Sequence, residues 1–395
     1  MNPTANLCLL RSDPLFGMLR VTYALLNFFR GLLNILTVEV WWGGLQNVLS
    51  FFSEKIMANI NPIAYIIGDD TVAKVGKMIR NHLNIPCTLI DLSVENRLST
   101  EDGCIEEAVD AIKLCGTGFK ESTASDDVRI KAKKMKSANI LLRPAMGGYG
   151  MARILLNPKT YQKPCGVFRY GHGGIYDVKS HKIENYPQEH ALAGEEYIVE
   201  QIETNLSGLI LAADKAAEIA QEYGFKLFIA SKWTIAPFEK IFMDRVTSYW
   251  SEKQISYEKR LTDTMMANLP PNTMGDGEFL VFFLNEAGDS GSDVIDVQDG
   301  SRSMTSTVYC RGGFCYEELP GGTAPTLLNT DLCGENFFNP YGSINGMVSS
   351  VITVNPAAKV WGADVSSKAK KYLAETPNER STEKMISVLP EFYLV

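Results

Sequence analysis

The stretch from Pro62 to Leu92 constrains the fold more than any other. Pro62-Ile-Ala-Tyr-Ile-Ile-Gly68 is a short apolar run closed by a glycine, which reads as a buried strand ending in a turn. From Thr71 to Leu83 apolar residues return at helical spacing through Val72, Val75, Met78 and Ile79. Cys87-Thr-Leu-Ile-Asp-Leu92 then reads as a second strand, and Glu106 to Leu114 as an amphipathic helix. Such β-α-β alternation predicts an α/β protein with a parallel or mixed sheet flanked by helices. Further along, Ser207 to Tyr223 is a strong helix with Leu209, Ala213, Ala216, Ala217 and Ala220 on one side. Leu227-Phe-Ile-Ala230 is a strand delivering Lys232 at its C-terminal end, where open α/β sheets place ligands. No G-x-G-x-x-G follows the first strand, so a Rossmann dinucleotide site is not expected there.

Composition narrows the class. At 395 residues and 45% hydrophobic content, the chain buries more core than one ordinary domain needs. A net charge of −8 argues against non-specific nucleic-acid binding, which requires basic surface. The one basic cluster, Lys131 to Lys136, reads as a solvated helix face. The eight cysteines (Cys8, Cys87, Cys104, Cys115, Cys165, Cys310, Cys315 and Cys333) form no C-x-x-C pair, so reduced thiols and no structural zinc are expected. Residues 1–56 differ from the rest, being rich in Leu, Phe, Trp and Val with scattered arginines. Arg20, Arg30 and Glu39 break them into runs too short for a clean membrane span. Three readings stay open: a targeting presequence, a peripheral amphipathic anchor, or a spurious extension ahead of Met57. Membrane contact is expected only through this segment. A mitochondrial location follows from the first reading, a cytoplasmic one if the true start is Met57.

The chemistry centres on Asp289-Ser-Gly-Ser-Asp293. On a helix this spacing places two carboxylates on one face, one turn apart. They repel unless something cationic lies between them, and hard oxygen ligands of this kind suit Mg²⁺ or Mn²⁺. Upstream stand Ser137-Ala-Asn139-Ile-Leu-Leu-Arg143, Phe168-Arg169, Tyr176, Ser231-Lys232-Trp-Thr234 and Tyr257 to Asp263. They supply cations for carboxylates and a Tyr/Lys pair for proton transfer. Arginine's planar fork binds carboxylate bidentately, which makes Arg143, Arg153 and Arg169 candidates to hold an acidic substrate.

Those residues, in that order, resemble the isocitrate dehydrogenases of the metal-dependent β-decarboxylating dehydrogenase family, most of all the eukaryotic homodimeric NADP type. The resemblance runs from about Ile63 to about Ser350. It implies an isocitrate/isopropylmalate dehydrogenase-like fold: a large domain from residues 57–146 and 301–395, a small domain from 147–300, and a cleft between. A clasp at about 176–206, shorter than its counterparts, would interlock a homodimer with shared active sites. The implied activity is oxidative decarboxylation of isocitrate, a tricarboxylate, to 2-oxoglutarate and CO₂ with NAD or NADP. Ser137, Asn139, Arg143, Arg153, Arg169 and Thr123 would bind substrate, Arg153 standing one position from the family spacing. Lys232 would help remove the hydroxyl proton and Tyr176 would protonate the enolate. Asp263 from the neighbouring subunit would join Asp289 and Asp293 on the metal. Lys120, Ser122 and Ser125 would meet the nicotinamide, and Glu318, Gly322, Thr323, Thr326 and Asn339 the rest of the cofactor.

Departures from the pattern sharpen the expectation. Gly174 replaces an acidic residue in the turn before Tyr176, and Gly321 replaces a histidine in the cofactor loop. Thr326 and Leu327 stand where NADP enzymes place basic or aromatic residues for the 2′-phosphate, so NAD is the expected preference. The altered loop leaves two alternatives: a non-catalytic relative, or a dehydrogenase of a related 2-hydroxy acid such as homoisocitrate.

Overall fold

The computed structural model describes residues 60–155, 163–172, 179–183, 197–201, 204–269, 278–298, 305–376 and 379–394. The expectations for residues 1–56, for Tyr176 and for most of the clasp lie outside them. Asn61–Val395 form one structural unit.

Twelve strands are described: β1 (Ile63–Ile67), β2 (Cys87–Asp91), β3 (Gly118–Lys120), β4 (Gly148–Leu155), β5 (Cys165–Tyr170), β6 (Lys179–Ile183), β7 (Tyr197–Gln201), β8 (Lys226–Ser231), β9 (Glu258–Leu261), β10 (Phe279–Phe283), β11 (Ser306–Cys310) and β12 (Cys315–Glu318). Ten of them form one mixed sheet in the order β2-β1-β3-β12-β11-β4-β5-β10-β8-β9, and β6 pairs with β7 alone. Two parallel blocks, β2-β1-β3-β12 and β5-β10-β8-β9, are joined through antiparallel pairings of β11 with β12, β11 with β4, and β4 with β5. The sequence cues anticipate the parallel blocks. The antiparallel junction carries no alternating signature, because β4 and β5 are buried along nearly their whole length.

Helices cover both faces. Helix α1 (Asp70–Leu83) follows β1 and buries Val72, Val75, Ile79 and Leu83, as the periodicity requires. It is followed by α2 (Val94–Thr100), α3 (Cys104–Cys115), α4 (Val128–Ala132), α5 (Ala138–Ala145), α6 (Leu206–Tyr223), α7 (Pro237–Glu252), α8 (Thr262–Asn268), α9 (Asn285–Gln298) and α10 (Tyr341–Val354). The basic run leaves the helix early: α4 ends at Ala132, and Lys133 and Lys134 are exposed beyond it. On α6 the buried stripe is Leu209, Ala212, Ala213, Ala216, Ile219 and Ala220, so Ala217 falls to its partly buried edge. Small alanines bring this helix close to β4, β5, β8 and β10, where Phe168, Ile229 and Phe282 complete one core. A second core lies between α3, α5 and strands β1, β11 and β12, and a third between α8, α9 and strands β5, β8 and β10. No disulfide joins the described cysteines to one another.

Lys120, Arg169, Ser231, Glu318 and the residue after β10, Leu284, all lie at or just past the C-terminal end of a strand in the parallel blocks. Backbone there stops pairing within the sheet, and side chains are free to converge.

Candidate active site

A cleft of about 980 Å³ opens at these strand ends. Ser122, Thr123, Ser125, Ser137, Asn139, Arg143, Arg153, Arg169, Asp289, Asp293 and Glu318 all line it, so the structure brings together eleven of the residues picked out from sequence. They come from the loop after β3, from α5, from β4 and β5, from α9 and from β12.

Each arginine is held by an acid. Arg153 projects from β4 and is 5% exposed, and its Nη1 donates to Asp293 Oδ1 at 2.9 Å and to Asp296 Oδ2 at 2.8 Å. Its Nε donates to Ser306 Oγ at 3.2 Å. Arg169 projects from the buried strand β5; its Nε donates to Asn285 Oδ1 at 2.8 Å and its Nη1 to Asp289. Arg143, near the end of α5, makes the bidentate fork with Glu318, at 3.1 Å from Nε and 3.0 Å from Nη2. Helix α9 reaches Arg169 closely because Gly288 lies against it: a Cβ there would sit 2.6 Å from the Arg169 Cβ. The two aspartates of the D-x-x-x-D spacing therefore face the cleft one turn apart, each opposite its own guanidinium.

Beneath the cleft, β12 lies beside β3 with Glu318 opposite Lys120. Both side chains are buried, with Lys120 Nζ 3.9 Å from Glu318 Oε1 and donating to the Glu121 carbonyl at 3.0 Å. Burial alone would raise the Glu318 carboxyl, but Arg143 and then Lys120 outweigh it and hold it below its usual value. Burial lowers the Lys120 ammonium, and Glu318 only partly offsets this. Glu318, expected to touch cofactor, is thus first of all the anion that keeps Arg143 and Lys120 in place.

The turn at Gly68 fixes the loop that carries Ser122, Thr123 and Ser125. A Cβ on Gly68 would lie 2.0 Å from the Ser122 carbonyl oxygen, so no other residue permits this approach. Asp69 then accepts the Ala124 N–H at 2.8 Å and the Val94 N–H at 2.8 Å. Glu121 points the other way, into the core. It accepts the Gly68 N–H at 2.8 Å and the Tyr65 hydroxyl, and burial pushes its carboxyl up to about 7 against the opposing pull of those donors.

Other expected residues are placed elsewhere. Lys232 and Asp263 do not line the cleft; they pair with each other at 2.6 Å where β8 ends and α8 begins. Of the cofactor residues, Thr323 is buried and donates to the Asp70 carboxylate, whereas Gly322 and Thr326 are exposed and Asn339 accepts the Tyr341 N–H at 3.1 Å. Lys74 of α1 lies beside this loop, its Nζ donating to the Leu328 carbonyl at 3.1 Å. Sequence reasoning misses Asp69, Lys74, Glu121, Asn285 and Asp296. Only Asp296 offers a signal, since it continues the Asp289 and Asp293 face at helical spacing.

Carboxylates on one helix face, arginines opposite and a mixed sheet beneath define the charged cleft of an α/β protein. No protein-family model matches the chain. Among curated proteins it is 25% identical over 307 residues to the mitochondrial NADP isocitrate dehydrogenase of Saccharomyces cerevisiae, covering 66% of this chain and 71% of that one. It is 26% identical over 363 residues to the mitochondrial enzyme of Aspergillus niger, covering 79% and 72%. The peroxisomal NADP isocitrate dehydrogenase of Candida tropicalis matches at 25% over 308 residues, covering 67% and 74%. A crystal structure of isocitrate dehydrogenase from Ostreococcus tauri, in complex with isocitrate and magnesium(II), shares the fold with a TM-score of 0.70 at 18% identity, covering 84% of this chain and 98% of that one. Over most of its length the chain is similar to isocitrate dehydrogenases, and it shares the isocitrate dehydrogenase fold.

The raised Glu121 carboxyl sets a pH dependence. Its folded value near 7 exceeds the ordinary 4.5, so between those values the folded chain holds a proton that the unfolded chain has released. The contribution is complete below about pH 4.5, falls as pH rises, and is lost above about pH 7. Thermal unfolding from pH 5 to pH 8 should show this decline in the native protein and a flatter profile in Glu121→Gln. Parallel profiles would show that Glu121 titrates normally.

Proposed function

We propose that this chain is an isocitrate dehydrogenase, which oxidises and decarboxylates isocitrate to 2-oxoglutarate and CO₂ while reducing a nicotinamide dinucleotide. The observation that carries this reading is the cleft in which Arg143, Arg153 and Arg169 face Asp289 and Asp293. A tricarboxylate needs several forked cations, and a divalent metal needs hard oxygens beside them. Asp289 and Asp293 fit Mg²⁺ or Mn²⁺: both open to the cleft, and Mg²⁺ is commonly held by one or two carboxylates with substrate and water completing its shell. When bound, such a metal polarises the substrate hydroxyl and stabilises negative charge as CO₂ leaves.

The protein's own residues do the rest. Substrate carboxylates would be met by Arg153 and Arg169, and Asp293 and Asp289 would be the residues that hold the metal. Ser137 and Asn139 at the start of α5 hydrogen-bond a carboxylate arm, and Ser122, Thr123 and Ser125 border the nicotinamide. Lys232 takes the hydroxyl proton as hydride leaves, and Tyr176 returns a proton to carbon. Lys232 and Asp263 sit together outside the cleft of their own chain, which supports a homodimer in which each subunit completes its partner's site. Residues 57–146 with 301–395 form the large domain and 147–300 the small one, meeting at the β11–β4 pairing. A segment 1–56 acting as a mitochondrial presequence fits the compartment of the Saccharomyces cerevisiae relative.

The cofactor loop alone favours NAD, but the relatives are NADP enzymes and Lys74 supplies the cation that Thr326 and Leu327 lack. NADP is the better assignment.

Asp289→Asn should abolish turnover without unfolding the protein, and excess chelator should do the same to the native enzyme; full activity in chelator would exclude a metal role. Mixing inactive Lys232→Ala with inactive Tyr176→Phe chains should restore activity in mixed dimers, because one site of each then has both groups. Mixed dimers as inactive as their parents would mean that each site is built from one subunit. Lys74→Ala should lower kcat/KM for NADP about tenfold or more, the worth of one charge-assisted contact, and leave NAD unchanged. An unaltered NADP/NAD ratio would remove Lys74 from the cofactor site.

A further inference from the structure

We propose that Asp296 is a positioning residue that sets metal affinity by keeping Arg153 from competing for Asp293. The inference rests on the proposed metal role of Asp293 and adds to it a residue that never touches the ion. Arg153 is a permanently charged group in a nearly closed site, and a guanidinium so placed requires a carboxylate partner. It has two on the same nitrogen, Asp296 Oδ2 at 2.8 Å and Asp293 Oδ1 at 2.9 Å, but they are not equivalent. The Asp296 side chain is 3% exposed and that of Asp293 is 71% exposed. Asp296 is therefore the fixed partner and Asp293 the exchangeable one. With Asp296 compensating Arg153 from below, Asp293 can turn to a cation in the cleft without leaving a buried charge unpaired. Ser306 Oγ on the Nε side holds the fork in the same orientation during the exchange.

Replacing Asp296 by Asn keeps shape and hydrogen bonding but removes the charge. Arg153 then depends on Asp293 alone, and an incoming cation must displace a guanidinium from its last carboxylate. The second amino-acid change that isolates this effect is Arg153→Met, which removes the competitor. If Asp296 acts through Arg153, the two substitutions together should cancel.

The experiment is a titration with Mn²⁺ alone, following free Mn²⁺ by electron paramagnetic resonance, on the full-length native protein, Asp293→Asn, Asp296→Asn and the double variant Asp296→Asn/Arg153→Met. Asp296→Asn should bind Mn²⁺ about tenfold more weakly or worse, the effect usual for residues that support a metal ligand. The double variant should recover to within about threefold of the native protein, since its competing cation is gone. Native-like binding by Asp296→Asn would overturn the inference. So would a double variant as weak as the single one, because the loss would then be damage to α9 rather than competition. If Asp293→Asn binds as well as the native protein, the proposed metal site itself fails and this inference falls with it.

Discussion

The site depends on one constraint: a buried guanidinium stays charged at any pH a protein meets, so it must have a carboxylate within reach. Arg153 and Arg169 rise from strands β4 and β5, whose other side chains pack into the cores. Their positive ends would destabilise the sheet without Asp289, Asp293 and Asp296 on α9, and Arg143 stands in the same relation to Glu318 on β12. The pairing does two things at once. It holds α9 against the sheet, and it keeps in the cleft the same charges that a metal–polyanion pair would later meet. In the proposed reaction, binding would be an exchange of partners rather than a creation of new buried charge.

The second requirement is close approach of loops at the strand ends. Gly68 lets the turn after β1 lie against the loop after β3, and Asp69 ties that loop to the N-terminus of α2 through two backbone N–H groups. Lys120 and Glu318, buried side by side beneath, lock β3 to β12. A loop pinned at several points presents Ser122, Thr123 and Ser125 to the cleft in one arrangement, which would lower the ordering cost of the proposed binding.

Much of this is legible in the sequence. The β-α-β start, the α6 helix, strand β8 ending before Lys232 and the one-face spacing of Asp289 and Asp293 follow from period and punctuation, and the structure has each of them. What cannot be read is who partners whom. Arg153 and Asp296, or Arg143 and Glu318, are brought together by the antiparallel junction β12-β11-β4-β5, and nothing local in those buried strands announces their order. Asp296 sits in a Val-Ile-Asp-Val run of which only Ile295 and Asp296 are buried, and its charge there faces Arg153. The NAD expectation relies on Thr326 and Leu327; that Lys74 lies beside this loop cannot be read from sequence, because a helix residue far upstream has no sequence link to the loop it meets.

Whether this cleft oxidises isocitrate with a divalent metal is tested most directly by mixing the full-length protein with isocitrate, Mn²⁺ and either NADP or NAD. The reduced nicotinamide is followed by absorbance and 2-oxoglutarate is measured in the same samples. Reduced cofactor and 2-oxoglutarate should form in equal amounts, faster with NADP, and only when Mn²⁺ is present. No turnover with either cofactor from a folded, metal-loaded protein would contradict the assignment.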